Sequence, residues 1–374
     1  MPETTDGSNL NNAYDSLNKV NNYLPYIFAG LLIIGIIVGL IYGGYKGALQ
    51  SNECTNMNSW YSSIDGHIRS AGTDCCGNLY DYYIKTAFNC CCGGANKNDF
   101  VNICNLKAII KQGVRCLDFE VYNIDGEPQV AASTSDSYFV KESYNSVKFS
   151  DVMDTIKNYA FSGGACPNPT DPLLIHLRIK STNQDMYTNL ANIFKSYTDI
   201  MLGKDYSYEN DGKNIGTTPL QDLKGKVILI IDKSNNAFLD NKELLEYVNL
   251  TSNSVFMRVL KYNDVKNTPD INELQEFNKR CMTIVLPDNE INPPNPSGII
   301  CREAGCQMVA MRYQNKDNFL DEDTKFFDNA GYAFALKPEN LRYQEVTIPD
   351  PDPQKLSYSY DTRTASTDYY SFDF

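Results

Sequence analysis

The 374-residue sequence has only two histidines, His67 and His176, and one tryptophan. So little imidazole leaves few side chains that titrate near neutrality, and proton-transfer chemistry has few carriers. No Cys-x-x-Cys pair occurs, so with two histidines the ligand spacing of a zinc site is missing. No GxGxxG or GxxxxGK[ST] run closes a candidate strand, which removes the usual phosphate-cradling loops. The net charge of −13 supplies no cationic face for a nucleic-acid backbone and no long basic run for anionic lipid.

What remains is a folding chain, 42% hydrophobic and 12% aromatic. Of its twelve cysteines, six crowd together as Cys54, Cys75, Cys76, Cys90, Cys91 and Cys92. That crowding predicts disulfides in a membrane-proximal part of an exported domain, with the partners left open.

No charged side chain lies between Lys19 and Lys46, and Leu24 to Tyr42 reads LPYIFAGLLIIGIIVGLIY. At 1.5 Å per residue this stretch crosses ~30 Å of hydrocarbon as a helix. It predicts a single-pass membrane protein that meets the lipid bilayer through residues 24–42. Lys19 and Lys46 balance each other, so charge does not orient it; the cysteines favour a barrel on the non-cytosolic side. Gly35, Gly39, Gly43 and Gly47 recur every fourth residue and fall on one helix face, the spacing at which two helices pack closely. Self-association there is one reading; the ordinary frequency of glycine in membrane helices is the other.

From Tyr80 onward short apolar runs alternate with helical spacing. Strands are expected at Val114–Val121, Leu173–Ile179, Lys226–Asp232, Val255–Leu260, Cys281–Leu286, Gln307–Arg312 and Gly331–Leu336. Helices are expected at Asn105–Gln112, Asp151–Phe161, Asp185–Leu202 and Ile271–Asn278. This pattern predicts an α/β fold with buried parallel strands, and a closed (β/α)8 TIM-like barrel fits the strand count better than an open sheet. The predicted organisation is a polar tail at 1–23, a transmembrane helix at 24–43 and a cysteine-rich segment at 44–79. Two barrel halves follow at 80–236 and 237–346, then an acidic, aromatic tail at 347–374.

The runs GVRCLDFEVYNIDGEPQV, FSDVMDTIKNYAF, PLLIHLRIK, TPLQDLKGKVILIIDK and GCQMVAMRYQ…FFDNAGYAFALKPENLR occur in that order. They resemble the X and Y halves of phosphoinositide-specific phospholipase C, over roughly Tyr80 to Arg342. The resemblance implies a barrel that binds one calcium and hydrolyses a phosphodiester with two histidines. Carried over by position, those histidines fall on Phe88 and Ala132, neither of which can move a proton. No histidine occurs between His67 and His176, so a shifted alignment does not restore one. Asn89, Asp118 and Glu120 match calcium ligands, but Arg178 stands where the third carboxylate is expected. A guanidinium suits two carboxylates, and Arg178 is expected to bridge Asp118 and Glu120 in the metal's place; the other reading is three ordinary polar groups at the barrel mouth. His176 is then an interior histidine with satisfied hydrogen bonds, and His67 a surface one. The headgroup-gripping lysines would fall near Ile230 and Asp232, and no Arg or Lys occurs between Met282 and Ile300.

These substitutions predict a pseudoenzyme, a binding or structural module with no required cofactor and with protein partners or self-association. The alternative is a phosphoric diester hydrolase with altered residues, in which calcium is retained. A headgroup binder without turnover is the third. The Asn-, Asp- and Tyr-rich style also resembles phospholipase C-like membrane proteins of large DNA viruses, which implies a virion membrane. Asn249, in Asn-Leu-Thr, is the one glycosylation sequon, relevant only to a lumenal barrel.

Overall fold

The computed structural model describes residues 7–72, 75–207, 214–345 and most of 351–374. The chain divides into two units, Met1–Arg342 and Tyr343–Phe374.

The first unit opens with α1 (Gly7–Trp60), one helix of 54 residues with Pro25 inside it. The helix runs through the bounds drawn at 23/24 and 43/44 and takes in the first part of the cysteine-rich segment. The reason lies in its far end. Glu53, Met57 and Tyr61 are buried at a spacing of four, so one face docks on the rest of the unit and holds the helix past the apolar stretch. The stretch itself is long and apolar enough to cross a membrane, and its most apolar window is unburied.

The elements that follow are β1 (Tyr82–Ala87), α2 (Ile103–Lys111), β2 (Cys116–Ile124), β3 (Glu127–Ala131), β4 (Val147–Lys148), α3 (Phe149–Thr155), β5 (Leu173–Lys180) and α4 (Gln184–Lys195). The second half has β6 (Val227–Asp232), α5 (Lys242–Leu245), β7 (Leu250–Ser252), β8 (Met257–Lys261), α6 (Tyr262–Lys266), α7 (Ile271–Arg280) and β9 (Met282–Leu286). It ends with α8 (Gly298–Glu303), β10 (Met308–Met311), α9 (Asn318–Ala330) and β11 (Phe334–Leu336). Side chains of Asn102, Asn183, Asn241, Asp270 and Asp317 cap the first turns of α2, α4, α5, α7 and α9, which explains where those helices begin.

Eight parallel strands follow the order β7-β6-β5-β2-β1-β10-β9-β8. Among the described residues β7 and β8 share no ladder, so the barrel is nearly closed and of the TIM type. Leu117, Phe119, Ile175, Leu177 and Leu229 face outward under α3 and α4, while Cys116, Leu174, Ile228, Ile284 and Met308 fill the interior.

The expected strand at Gly331–Leu336 is not a barrel strand. Its core, β11, pairs antiparallel with the start of β1 across the barrel floor. Two barrel strands, β1 and β7, have no counterpart among the expected runs, and β7, with three residues, is too short to register as a periodic one. The helix expected at Asp151–Phe161 becomes α3 and then a π-helical turn at Ile156–Ala160.

One of the crowded cysteines forms a disulfide, with a partner outside the crowd. Cys54 on α1 is bonded to Cys104 on α2, while Cys90, Cys91 and Cys92 are buried thiols in the loop after β1. Burial pushes the Cys92 thiol up to about 12, so it is inert as a nucleophile.

In the second unit, where a plain tail was expected, β12 (Thr364–Ser366) and β13 (Ser371–Asp373) form an antiparallel hairpin. Residues 346–350 and 353, which hold most of the Pro-Asp-Pro-Asp-Pro run, lie outside the described residues.

Candidate functional site

Alternation along a strand turns Asp118 and Glu120 of β2 and His176, Arg178 and Lys180 of β5 into the barrel. The register sets Asp118 opposite His176 and Glu120 opposite Arg178. Asp118, Glu120, His176 and Arg178 are each at most 1% exposed. The hairpin after β2 adds the next wall. Its turn is Asp125-Gly126, with φ of 55° and 85°, the positive-φ pair that a two-residue hairpin favours. It returns the chain so that Ala132 is buried and Ser133 meets Glu120.

Arg178 spends every N–H it has. Nε and Nη2 fork onto the two oxygens of Asp118 at 3.0 and 2.7 Å. Nη1 donates to Glu120 at 2.7 Å and to Asp136 at 2.8 Å, and Nη2 donates to Asn89 Oδ1 at 2.8 Å. These bonds use the guanidinium's full set of donors. The Phe88 ring lies beneath it, 4.8 Å from its central carbon. The other Glu120 oxygen accepts from Tyr122 Oη, Ser133 N and Ser133 Oγ at 2.7, 2.9 and 3.1 Å. Asn89 takes a positive φ of 42° to reach this position, a conformation asparagine tolerates better than most residues.

His176 is committed on both sides. Nδ1 donates to Asp118 Oδ1 at 2.7 Å, because a carboxylate can only accept, and Nε2 meets Ser252 Oγ at 2.8 Å. The chain Asp118–His176–Ser252 has the order of a hydrolase triad, yet Ser252 is 0% exposed and nothing can approach its oxygen.

Over this cluster lies the loop after β3. Asp136 accepts from Arg178 and also pairs with Lys261 of β8, while Lys180 Nζ donates to its backbone carbonyl. Glu142 ties the loop back, accepting from Thr134 N at 2.8 Å and pairing with Lys97 at 2.7 Å. Three carboxylates thus face Arg178, Lys180 and Lys261.

Burial alone would raise the Asp118 carboxyl, but the Arg178 charge and the His176 bond hold it well below the usual carboxylate range. At Asp136 the same contest against burial, with Arg178 and Lys261 as the opposing charges, ends at about 2. Burial opposes the charge on Arg178 in turn, and the Asp118, Glu120 and Asp136 carboxylates keep its pKa above the ordinary value. Lys180 goes the other way, lowered by burial and then by Arg178.

The structure therefore brings Phe88, Asn89, Asp118, Glu120, His176, Arg178 and Ala132 to one place. Calcium does not fit this arrangement: the oxygens that would ligate it are filled by N–H and O–H donors, with a guanidinium at their centre. Ile230 is buried, and Asp232 accepts from Ser234 and Asn253. His67 stands apart beside Asp65 at 3.3 Å.

The sequon at Asn249 is corrected. Asn249 is 3% exposed, with Nδ2 donating to Tyr206 O and Oδ1 accepting from Leu229 N, so the folded chain offers no amide for a glycan. Gly35, Gly39, Gly43 and Gly47 have open space where a Cβ would stand.

Sequence reasoning missed Asp136, Lys180, Lys261, Tyr122 and Ser252. Lys180 and Tyr122 lie two residues beyond Arg178 and Glu120, so the same alternation would have found them. Asp136, Lys261 and Ser252 come from a loop and two distant strands, and no local pattern marks them.

Among solved structures, PLC21 of L. pealei superposes with a TM-score of 0.59 at 18% identity, over 75% of this chain and 39% of that one. PLC21 of S. officinalis gives 0.59 at 18%, over 76% and 40%. This chain thus spans about two fifths of those proteins, and at such identity they show the fold alone. No curated protein sequence matches the chain. Two family models do: phosphatidylinositol-specific phospholipase C, X domain, over residues 77–233, and the Y domain over residues 238–340. Both halves occur in order on one nearly closed barrel, and the chain belongs to the phosphatidylinositol-specific phospholipase C family.

Proposed function

We propose that this chain is a membrane-anchored phospholipase C-like barrel that does not hydrolyse phosphoinositides and serves as an interaction or assembly module. The observation that carries the reading is the Arg178 cluster. A buried guanidinium fills the space between Asp118, Glu120, Asp136 and Asn89, and the loop bearing Asp136 covers it. His176 has no free nitrogen for a substrate proton. General acid–base transfer supplies about 10²–10⁴-fold in rate per group, and Phe88 and Ala132 supply none.

The membrane part of the reading rests on α1. Where its apolar stretch ends, Tyr42 Oη meets Tyr144 Oη at 3.2 Å and Lys46 Nζ sits 3.7 Å over the Tyr144 ring. Tyr144 follows the mouth loop, whose tip exposes Tyr138, Phe139 and Val140. Aromatic and lysine side chains suit a bilayer interface, so the closed mouth faces the membrane in this proposal. A virion membrane is the form that the resemblance to viral membrane proteins favours.

The test is phosphatidylinositol hydrolysis by the full chain in detergent, with calcium and with EDTA, beside Asp118→Ala/Glu120→Ala. The expected result is turnover equal to that control. Calcium-dependent turnover that the double substitution abolishes would overturn the reading.

A further inference from the structure

The last turns of α1 meet the barrel through one small patch. Cys54 is bonded to Cys104, Met57 is fully buried, and Tyr61 Oη donates to Tyr313 O at 2.8 Å. At the head of this patch two carboxyls converge. The Phe100 N–H lies 3.0 Å from Glu53 Oε1 and also 3.0 Å from Asp99 Oδ1. Asp99 Oδ2 accepts from Ala95 N at 2.9 Å, while Glu53 Oε2 is buried with no donor. Glu53 is 6% exposed and Asp99 9%.

The neighbouring Gly93-Gly94 pair makes the room. A Cβ on Gly93 would stand 2.7 Å from Glu53 Oε2, and one on Gly94 would collide with Asp99 Oδ2. The charged and titratable groups around the pair do not neutralise it. Arg312 turns its Nη atoms to the carbonyls of Pro293 and Gly94. Lys97 is taken by Glu142, and the Cys92 thiol donates to Ala95 O. Two carboxylates sharing one N–H donor in a buried site cannot both ionise cheaply.

We infer that Glu53 keeps its carboxyl proton beside Asp99, and that this proton and the Cys54–Cys104 bridge together latch the root of α1 onto the barrel. Burial first, and Asp99 second, raise the Glu53 carboxyl to about 9. A raised acid holds its proton in the folded state after the unfolded chain has lost it near pH ~4.3. Docking is therefore firmest below that pH and weakens with each unit up to about 9. The latch tightens in acid and slackens in alkali. The bridge limits the excursion until a dithiol reduces it. In that exchange the dithiol gives up two electrons and two protons, becomes a cyclic disulfide, and leaves two cysteine thiols.

The test is amide hydrogen exchange of residues 53–61 and 93–100 in the full chain in detergent, from pH 6 to 9, with and without a dithiol. After correction for the intrinsic rate, the reduced protein should open up to about ten-fold more per pH unit. Glu53→Gln should remove that slope while keeping the segment protected. The oxidised chain should show a slope of the same sign and smaller size, which keeps the test informative if the reduced protein unfolds. A flat wild-type profile, or an equal slope in Glu53→Gln, overturns the proposal. So does a slope abolished by millimolar calcium, which would mean that a cation and not a proton joins the pair.

Discussion

The two ends of the barrel bury a cation in opposite ways. At the mouth Arg178 meets three carboxylates and spends every donor on a charged or amide oxygen. At the floor Lys337, 1% exposed, donates to the Asn278 carbonyl at 2.8 Å and faces the Tyr83 ring at 6.0 Å. Burial brings Lys337 down to about 7, whereas the mouth carboxylates raise Arg178. Desolvation acts on both; only the mouth supplies opposite charges at hydrogen-bond distance. A buried charge persists where its partners are fixed by the fold, and one without them sheds its proton.

The largest effect should come from breaking the mouth. Arg178→Met strands Asp118 and Glu120 in the interior and should cost about 3–5 kcal/mol, read from denaturant unfolding in detergent. Adding Asp118→Asn and Glu120→Gln should restore much of the loss, because the orphaned charges are then gone. If the triple variant is no more stable than the single one, packing and not charge holds the mouth.

At the floor the sign reverses. The unfolded chain keeps the Lys337 proton to pH ~10.4, while the folded chain loses it near 7, so stability should rise with pH between them. Lys337→Met should flatten that rise and leave the protein more stable at pH 6, by at most about 5 kcal/mol. A variant less stable than the wild type at pH 6 would show that its bond to Asn278 outweighs the burial of charge.

A smaller effect belongs to Asp136, whose side chain is 34% exposed. Its lowered carboxyl contributes stability above pH ~3.9 that is lost as pH falls toward about 2. With screening discounted, Asp136→Asn should cost about 1 kcal/mol at pH 7 and only a small fraction of that at pH 2. An equal loss at both pH values would assign the effect to the loop's shape and not to its charge.

The smallest effect is expected from Phe88→His. It places an imidazole where the resemblance implies a histidine but leaves the guanidinium above it, so under the proposed function phosphatidylinositol hydrolysis should stay at background. A measurable rise would mean that the guanidinium does not by itself block hydrolysis.

Much of the mouth was legible because strands alternate. Asp118 and Glu120 two apart, and His176 and Arg178 two apart, had to face one side once the strands were recognised. Their mutual register was not legible. It depends on which strands lie side by side, and β2 pairs with β5 across more than fifty residues of chain. The absence of β7 from the expected strands has a related origin, since three residues carry no period of their own.

By itself the sequence determined the apolar span at 24–42, the buried strands, and the want of histidines between His67 and His176, because these depend on residue type and local spacing. The tertiary structure decided that Arg178 would meet Asp136 as well as the expected pair, and that Cys54 would bond to Cys104. It also decided that Asn249 would be buried and that Glu53 would face Asp99. Each of these joins residues far apart or fixes a side chain's access to water, and only the packed chain sets distance and burial.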